Sequence, residues 1–231
     1  MNTEPVCELI NVSKSFRGRK VIDNLSLTIT RGEMIALTGR SGTGKSTVLN
    51  MIGLLESYDS GEVSLFGGTA PRVKSKQAEK VLRHRLGYLF QNYALIDGET
   101  AEYNLKVAQK YVRTPRSEQA HRRAEALHRT GLEGFADRKV YELSGGEQQR
   151  LALARLMLKP CELVLADEPT GSLDTENRAH ILEILRGMRD AGKTIVIVTH
   201  DSVVADACDR VLSLEGTPLA ARAPQPAHDI A

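Results

Sequence analysis

Residues 39–46 read Gly39-Arg40-Ser41-Gly42-Thr43-Gly44-Lys45-Ser46, the spacing G-x-x-x-x-G-K-S. Just before them, Met34-Ile35-Ala36-Leu37 is a short apolar run that suits a buried strand. Just after, Thr47-Val48-Leu49-Asn50-Met51-Ile52 suits a helix. Strand, loop and helix in that order are the context in which this spacing binds phosphate. The glycines let the backbone turn tightly and bring N–H groups to an anion with no side chain between. The helix N-terminus faces the same anion. Lys45 is expected to reach the outer phosphates of a nucleotide and Ser46 to hold Mg²⁺ through its hydroxyl. The alternative is a glycine-rich turn that happens to end in lysine, and the flanking elements weigh against it.

Three other apolar runs end in residues of matching chemistry. Glu162-Leu163-Val164-Leu165-Ala166 closes on Asp167-Glu168. An acidic pair at the end of an apolar strand is costly unless it serves a cation or a reaction. Asp167 suits a Mg²⁺ ligand, and Glu168 the base that polarises an attacking water. Residues 194–199 form a further buried strand with His200 at its carboxyl end, and residues 86–90 another with Gln91 at its end. Ligands of open parallel sheets meet the carboxyl ends of strands. His200 can therefore touch phosphate, and Gln91 can reach Mg²⁺ or water. A lone histidine or a buried amide is also, commonly, a satisfied structural group.

Outward from these strands, residues 7–12, 21–30 and 61–66 read as strands, the first two belonging to an antiparallel sheet. Phe16 is expected in the turn between the first two, where it can stack on a base or extend the core. Residues 92–159 read as an inserted helical subdomain. In it Thr100 caps a helix running to about Tyr111. Ser117 caps a second helix with Ala120, Ala124 and Leu127 on one face, broken by Gly131 and Gly134. Leu143-Ser144-Gly145-Gly146-Glu147-Gln148-Gln149-Arg150 contains an S-x-x-E capping box before the apolar helix 151–158. Gly145 and Gly146 leave the N–H groups of that helix start open to an anion, a second candidate phosphate contact. Pro169-Thr170-Gly171-Ser172-Leu173-Asp174 is turn-rich. Residues 69–85 form a basic, solvated helix face, with docking to a partner or acidic lipid as the lesser reading. The Ala- and Pro-rich stretch 216–231 is expected to be flexible.

Composition narrows the classes. With 231 residues the chain can form one large domain or a domain with a subdomain. A net charge of +2, aromatics at 4% and no tryptophan give no case for nucleic acid as a partner. Cys7, Cys161 and Cys208 are isolated, which fits buried thiols in a reducing compartment better than disulfides or zinc. The start Met1-Asn2-Thr3-Glu4-Pro5 lacks the pattern of a signal peptide. No apolar run reaches bilayer length. If the protein works at a membrane, another chain is expected to supply the spanning part.

Together these features resemble the ATP-binding cassette family of transporter ATPases over residues 6–215. The octapeptide at residues 143–150 matches the family's signature sequence and is far more diagnostic than the phosphate loop. The resemblance implies an α/β fold with a P-loop NTPase core on a mixed or parallel sheet, an N-terminal antiparallel β-subdomain and the inserted helices. It implies ATP and Mg²⁺ as ligands. Residues 39–47, including Thr47, would hold the nucleotide, Phe16 would stack on adenine, and Ser46, Gln91 and Asp167 would serve the metal. Lys45, Glu168 and His200 would carry the chemistry. Ser144, Gly145, Gly146 and Asp174 would act on the nucleotide of a second copy, because Ser172-Leu173-Asp174 matches the loop that crosses to the partner subunit. A head-to-tail homodimer, cytoplasmic and peripheral on the inner face of the membrane, would then drive a separately encoded permease.

Within the family, Gln91-Asn92-Tyr93-Ala94-Leu95-Ile96 and residues 167–174 look like the macrolide-exporter and lipoprotein-releasing branch. Residues 90–96 with Glu99-Thr100 and Asn104-Leu105 are similar to ATPases of lactococcin-type bacteriocin export. Export of a peptide, antimicrobial or lipid-linked cargo is the implied function. A cell-division-type cassette that drives a signalling partner is the alternative. Ser172 and Glu147 depart from the branch, which often has Asn and Gln there.

Overall fold

The computed structural model describes residues 4–171 and 174–214. Glu215, the 216–231 stretch and Ser172-Leu173 of the turn-rich loop lie outside the described residues. In chain order the first elements are β1 (Pro5–Phe16), β2 (Arg19–Thr30), β3 (Met34–Thr38), α1 (Lys45–Ile52), β4 (Ser60–Leu65), β5 (Gly68–Thr69), α2 (Lys76–His84) and β6 (Leu86–Leu89). Next come α3 (Ala101–Gln109), α4 (Arg116–Arg129), α5 (Gly145–Met157), β7 (Leu163–Asp167), α6 (Thr175–Asp190), β8 (Thr194–Val198), α7 (Ser202–Asp206) and β9 (Arg210–Ser213).

The first sheet is antiparallel, in the order β2-β1-β4-β5. Its opening hairpin turns on Arg17 and Gly18 alone, both at positive φ (50° and 79°), as a two-residue loop matching the strand twist requires. Phe16 is therefore not in the turn: it is the last residue of β1, paired with Arg19. The register shifts between Leu9 and Val12, where Asn11 sits at φ 51°. That bulge changes which parity faces inward, from Cys7 and Leu9 before it to Val12 and Lys14 after it.

The second sheet runs β6-β7-β8-β3-β9, every neighbouring pair parallel. Helical crossovers cover both faces, so its strands are continuous apolar runs. Ile35, Leu37, Leu163, Leu165, Val196 and Val198 pack against α1 and the antiparallel sheet. Met34, Val164, Ala166, Ile195 and Ile197 pack against α5, α6 and α7. A third cluster joins Ala101 and Leu105 of α3 with Ala126 and Leu127 of α4. Helix α5 belongs to two cores: Ala152, Leu153 and Leu156 face the sheet, while Leu151 and Ala154 face the helical cluster.

The limits of α3 and α4 depart from the sequence expectations. Thr100 caps α3 through its hydroxyl, which accepts from the Tyr103 N–H at 3.1 Å, but the helix stops at Gln109, short of Tyr111. Helix α4 starts at Arg116, with Pro115 rather than Ser117 at the cap. Pro115, extended at ψ 148°, already makes the break, and its fixed φ suits a helix entrance. Gly131 and Gly134 follow α4 at φ 65° and 80°. Among the described residues no helix is long and apolar enough to cross a membrane.

Candidate active site

The loop after β3 carries Gly39, Gly42 and Gly44 at φ 145°, 82° and 92°, values that L side chains rarely adopt. At Gly44 a Cβ would also lie 2.5 Å from Ile22 Cδ1 of β2, a side-chain end that would have to move aside. Lys45 opens α1 and is buried. Its Nζ donates to the carbonyls of Gly39 (2.6 Å) and Arg40 (3.0 Å), folding the ammonium across the loop. Thr47 follows one residue behind Ser46 in the first turn, partly buried.

The Ser46 hydroxyl donates to Asp167 Oδ1 at 3.2 Å, joining α1 to the end of β7. Asp167 is pushed above the usual carboxylate range. Burial is the main cause and the neighbouring Glu168 charge adds to it, while the Ser46 hydroxyl and Lys45 pull the other way. Among the described residues no cluster of three His, Cys, Asp or Glu side chains could hold a metal alone. One hydroxyl and one carboxylate are nonetheless the donor set that fits Mg²⁺, a hard cation that keeps its waters and takes further oxygens from phosphates.

Glu168 occupies the left-handed region, φ 48°, a strained state for a non-glycine residue. Its N–H donates to the Val198 carbonyl (2.9 Å), and its own carbonyl accepts from Gly171 (3.0 Å). These bonds hold the backbone where the side chain meets His200: Nδ1 lies 2.9 Å from Oε1. In the tautomer that carries its proton on Nδ1, the ring donates to this carboxylate. The carboxylate is mostly sheltered, whereas the ring is 75% exposed. Gln91 is exposed beyond β6 and is not joined to the Ser46–Asp167 pair. Phe16 is exposed at the end of β1, with Lys14 Nζ 4.9 Å from its ring centroid.

The signature segment forms a separate place. Helix α5 begins at Gly145, well before residue 151, with Ser144 as its cap. Ser144 Oγ accepts from the Glu147 N–H (3.3 Å) and Glu147 Oε2 accepts from the Ser144 N–H (2.7 Å). The Ser144 N–H is the first cause holding the Glu147 carboxyl below its ordinary range. Ser144 and Gly145 are exposed. A Cβ on Gly145 would stand 3.5 Å from the Tyr93 hydroxyl, and one on Gly146 would stand 3.5 Å from the Asn177 side chain. Asp174 caps α6, accepting from Asn177 N (2.8 Å) and Nδ2 (2.7 Å), while Arg150 donates to Asn177 Oδ1. The structure thus gathers residues 39–46, Asp167, Glu168 and His200 at one edge, and sets Gly146 and Asp174 beside Asn177, with Ser144 and Gly145 preceding Gly146 at the same helix start.

Gln149 was not singled out from the sequence. It is buried and donates to the Pro169 carbonyl at 2.7 Å, tying the signature helix to the turn after Glu168. The available signal was its place at i relative to Ala152, Leu153 and Leu156, a polar residue on an apolar helix face.

Residues 22–171 match the family model described as ABC transporter. The chain belongs to the ABC transporter family. This cassette is 38% identical over 195 residues to the macrolide export ATP-binding/permease protein MacB of Mannheimia succiniciproducens, covering 84% of this chain and 30% of that protein. It spans about a third of the length of the curated relatives it matches. Among solved structures it is similar to the dimeric bacterial ABC transporter cassette MJ0796 (TM-score 0.83, 35% identity, 90% of this chain and 93% of that one). It is similar also to that cassette in a dimeric post-hydrolysis state bound to ADP and Pi (TM-score 0.81, 35% identity, covering 90% and 93%). The cassette is an ATPase of the ABC type.

Proposed function

We propose that two copies of this cassette bind and hydrolyse ATP to drive export of a peptide, antimicrobial or lipid-linked substrate through a membrane permease, a separate subunit. The observation that carries this reading is the grouping of Lys45, Ser46, Asp167, Glu168 and His200 at one edge, with Ser144 and Gly145 exposed and Gly146 half-buried elsewhere. The start of α5, on two glycines and apart from the phosphate loop, suits an anion brought by a second molecule. The signature helix of one copy then covers the nucleotide on the loop of the other. The macrolide-export relatives support export as the direction of transport.

On this reading the loop N–H groups and Lys45 hold the phosphates, Lys45 exchanging carbonyl partners for phosphate oxygens. Ser46, Asp167 and Gln91 would hold Mg²⁺, which would supply charge neutralisation on the phosphates. Glu168 orients a water and takes its proton as the water oxygen bonds to the γ-phosphorus and the bond to the β-phosphate oxygen breaks. His200 holds the carboxylate in place for this. The γ-phosphate is the contact that distinguishes the closed dimer from the open one, so its loss reopens the site. The cassette works at the cytoplasmic face of the membrane, where ATP is.

Glu168→Gln tests the reading. ATP binding should persist, turnover should fall on the order of a hundredfold or more, and an ATP-dependent dimer should accumulate in size-exclusion chromatography. Full turnover with the permease present would remove Glu168 as the base, and a monomer at saturating ATP would remove the shared site.

A further inference from the structure

A buried lysine ties the strand that ends in Phe16 to the segment that follows the phosphate-loop helix. Lys14 is 6% exposed. Its Nζ lies 2.8 Å from Glu56 Oε1 and 3.7 Å from Asp59 Oδ1, and it donates to Ser57 Oγ at 3.3 Å. The same Nζ stands 4.9 Å from the centroid of the Phe16 ring. Asp59 reinforces the link: its Oδ2 accepts from the Ser15 N–H (2.7 Å) and its N–H donates to the Ser13 carbonyl (2.9 Å). On the other side, the N–H groups of Leu55 and Glu56 donate to the Asn50 carbonyl (2.9 and 3.1 Å). Asn50 lies in α1, whose first residue is Lys45.

An ammonium is buried only at a cost unless it is paired. Here two carboxylates, a hydroxyl and an aromatic face share the charge, and the Lys14 hydrogen bond is the first cause holding the Glu56 carboxyl below its ordinary range. The bulge at Asn11 is what turns Lys14 inward to this cluster. A cation near one face of a ring draws electron density toward itself, leaving the opposite face better suited to an electron-rich base.

We infer that Lys14, held by Glu56 and Asp59, is a positioning residue that sets the Phe16 ring as a stacking platform at a fixed distance from the phosphate loop, so that the site favours a nucleoside triphosphate over bare polyphosphate. This rests on reading Phe16 as the base-stacking residue. The test compares wild type, Phe16→Ala, Lys14→Met and the double variant of the full chain. Calorimetric affinity is read for Mg-ATP and for inorganic tripolyphosphate with Mg²⁺. Each single variant should weaken ATP about fivefold, the scale of one cation–π or stacking contact, and leave tripolyphosphate unchanged. The double variant should bind ATP no worse than Phe16→Ala. Wild-type ATP affinity in Lys14→Met, additive losses in the double variant, or equal losses for both ligands overturns the role of Lys14 alone. Unchanged ATP affinity in Phe16→Ala overturns the stacking reading and this inference with it. The carboxylates are 32% and 48% exposed, so they stay hydrated when Lys14 is replaced. Should Lys14→Met not fold, the double variant Glu56→Gln/Asp59→Asn frees the ammonium and is held to the same ATP-selective loss.

Discussion

The two edges of the five-stranded parallel sheet treat charge in opposite ways. At the amino edge each carboxylate has its cation. Glu162, just before β7, meets Arg85 and also Arg31 (2.7 Å), and Glu33, just before β3, meets Arg210 (2.7 Å). Arg85 foremost, with Arg31, holds the Glu162 carboxyl down to about 2. At the carboxyl edge of the same strand β7, Asp167 lies beside Glu168 and is pushed upward. There Lys45 turns to backbone carbonyls, and Glu168 is strained at φ 48°. One edge is complete within the chain. The other leaves charge and backbone donors to be completed by a ligand, which is where binding energy can be differential.

The largest expected effect probes the carboxyl edge directly. Lys45→Ala should lower ATP affinity on the order of a hundredfold, the value of charge-assisted hydrogen bonds to phosphate, with little change in thermal midpoint. Retained affinity in a titration with ATP would mean that this edge is not where ATP is held.

A smaller effect belongs to the amino edge. The Glu162 carboxyl titrates lower folded than unfolded, so the stability it contributes is present above about pH 4.3. That contribution is lost as pH falls toward its folded value of about 2. Glu162→Gln should lower the thermal midpoint at neutral pH and flatten the wild-type decline across that acid window. An unchanged acid limb would show that the pairs at this edge add nothing measurable, as happens for many exposed pairs.

The smallest effect has the opposite sign. Asp167 titrates higher folded than unfolded, so its ionised form disfavours the fold, and wild type loses stability as pH rises through the folded value. Asp167→Asn should raise the thermal midpoint of the nucleotide-free cassette at neutral pH while abolishing Mg²⁺-dependent ATP binding. The gain should vanish below about pH 4, near the unfolded value. A lowered midpoint would erase the contrast between the edges.

Local chemistry made much of this legible beforehand. The buried strands announced themselves as apolar runs because both faces of the sheet are covered. The Ser144–Glu147 box was visible because both partners lie within one helical turn. Where a feature depended on distant partners, periodicity missed it. Phe16 was placed in a turn because nothing local marks a bulge at Asn11 or a hairpin closing on Arg17-Gly18. Ser117 looked like a better cap than Pro115, whose fixed backbone starts the helix two residues earlier. The burial of Lys14 and Gln149 comes with partners at Glu56, Asp59 and Pro169, none of them near in sequence.

By itself the sequence determined the residue types: a glycine loop that can cradle phosphate, an acidic pair and a histidine after apolar strands, and a capped glycine helix start. Only the tertiary structure decided which of them meet. Ser46 reaches Asp167 across 121 residues and Glu168 reaches His200 across 32. These contacts follow from the order β7-β8-β3 in the sheet. That order is set by packing on both faces, which no short window of sequence encodes.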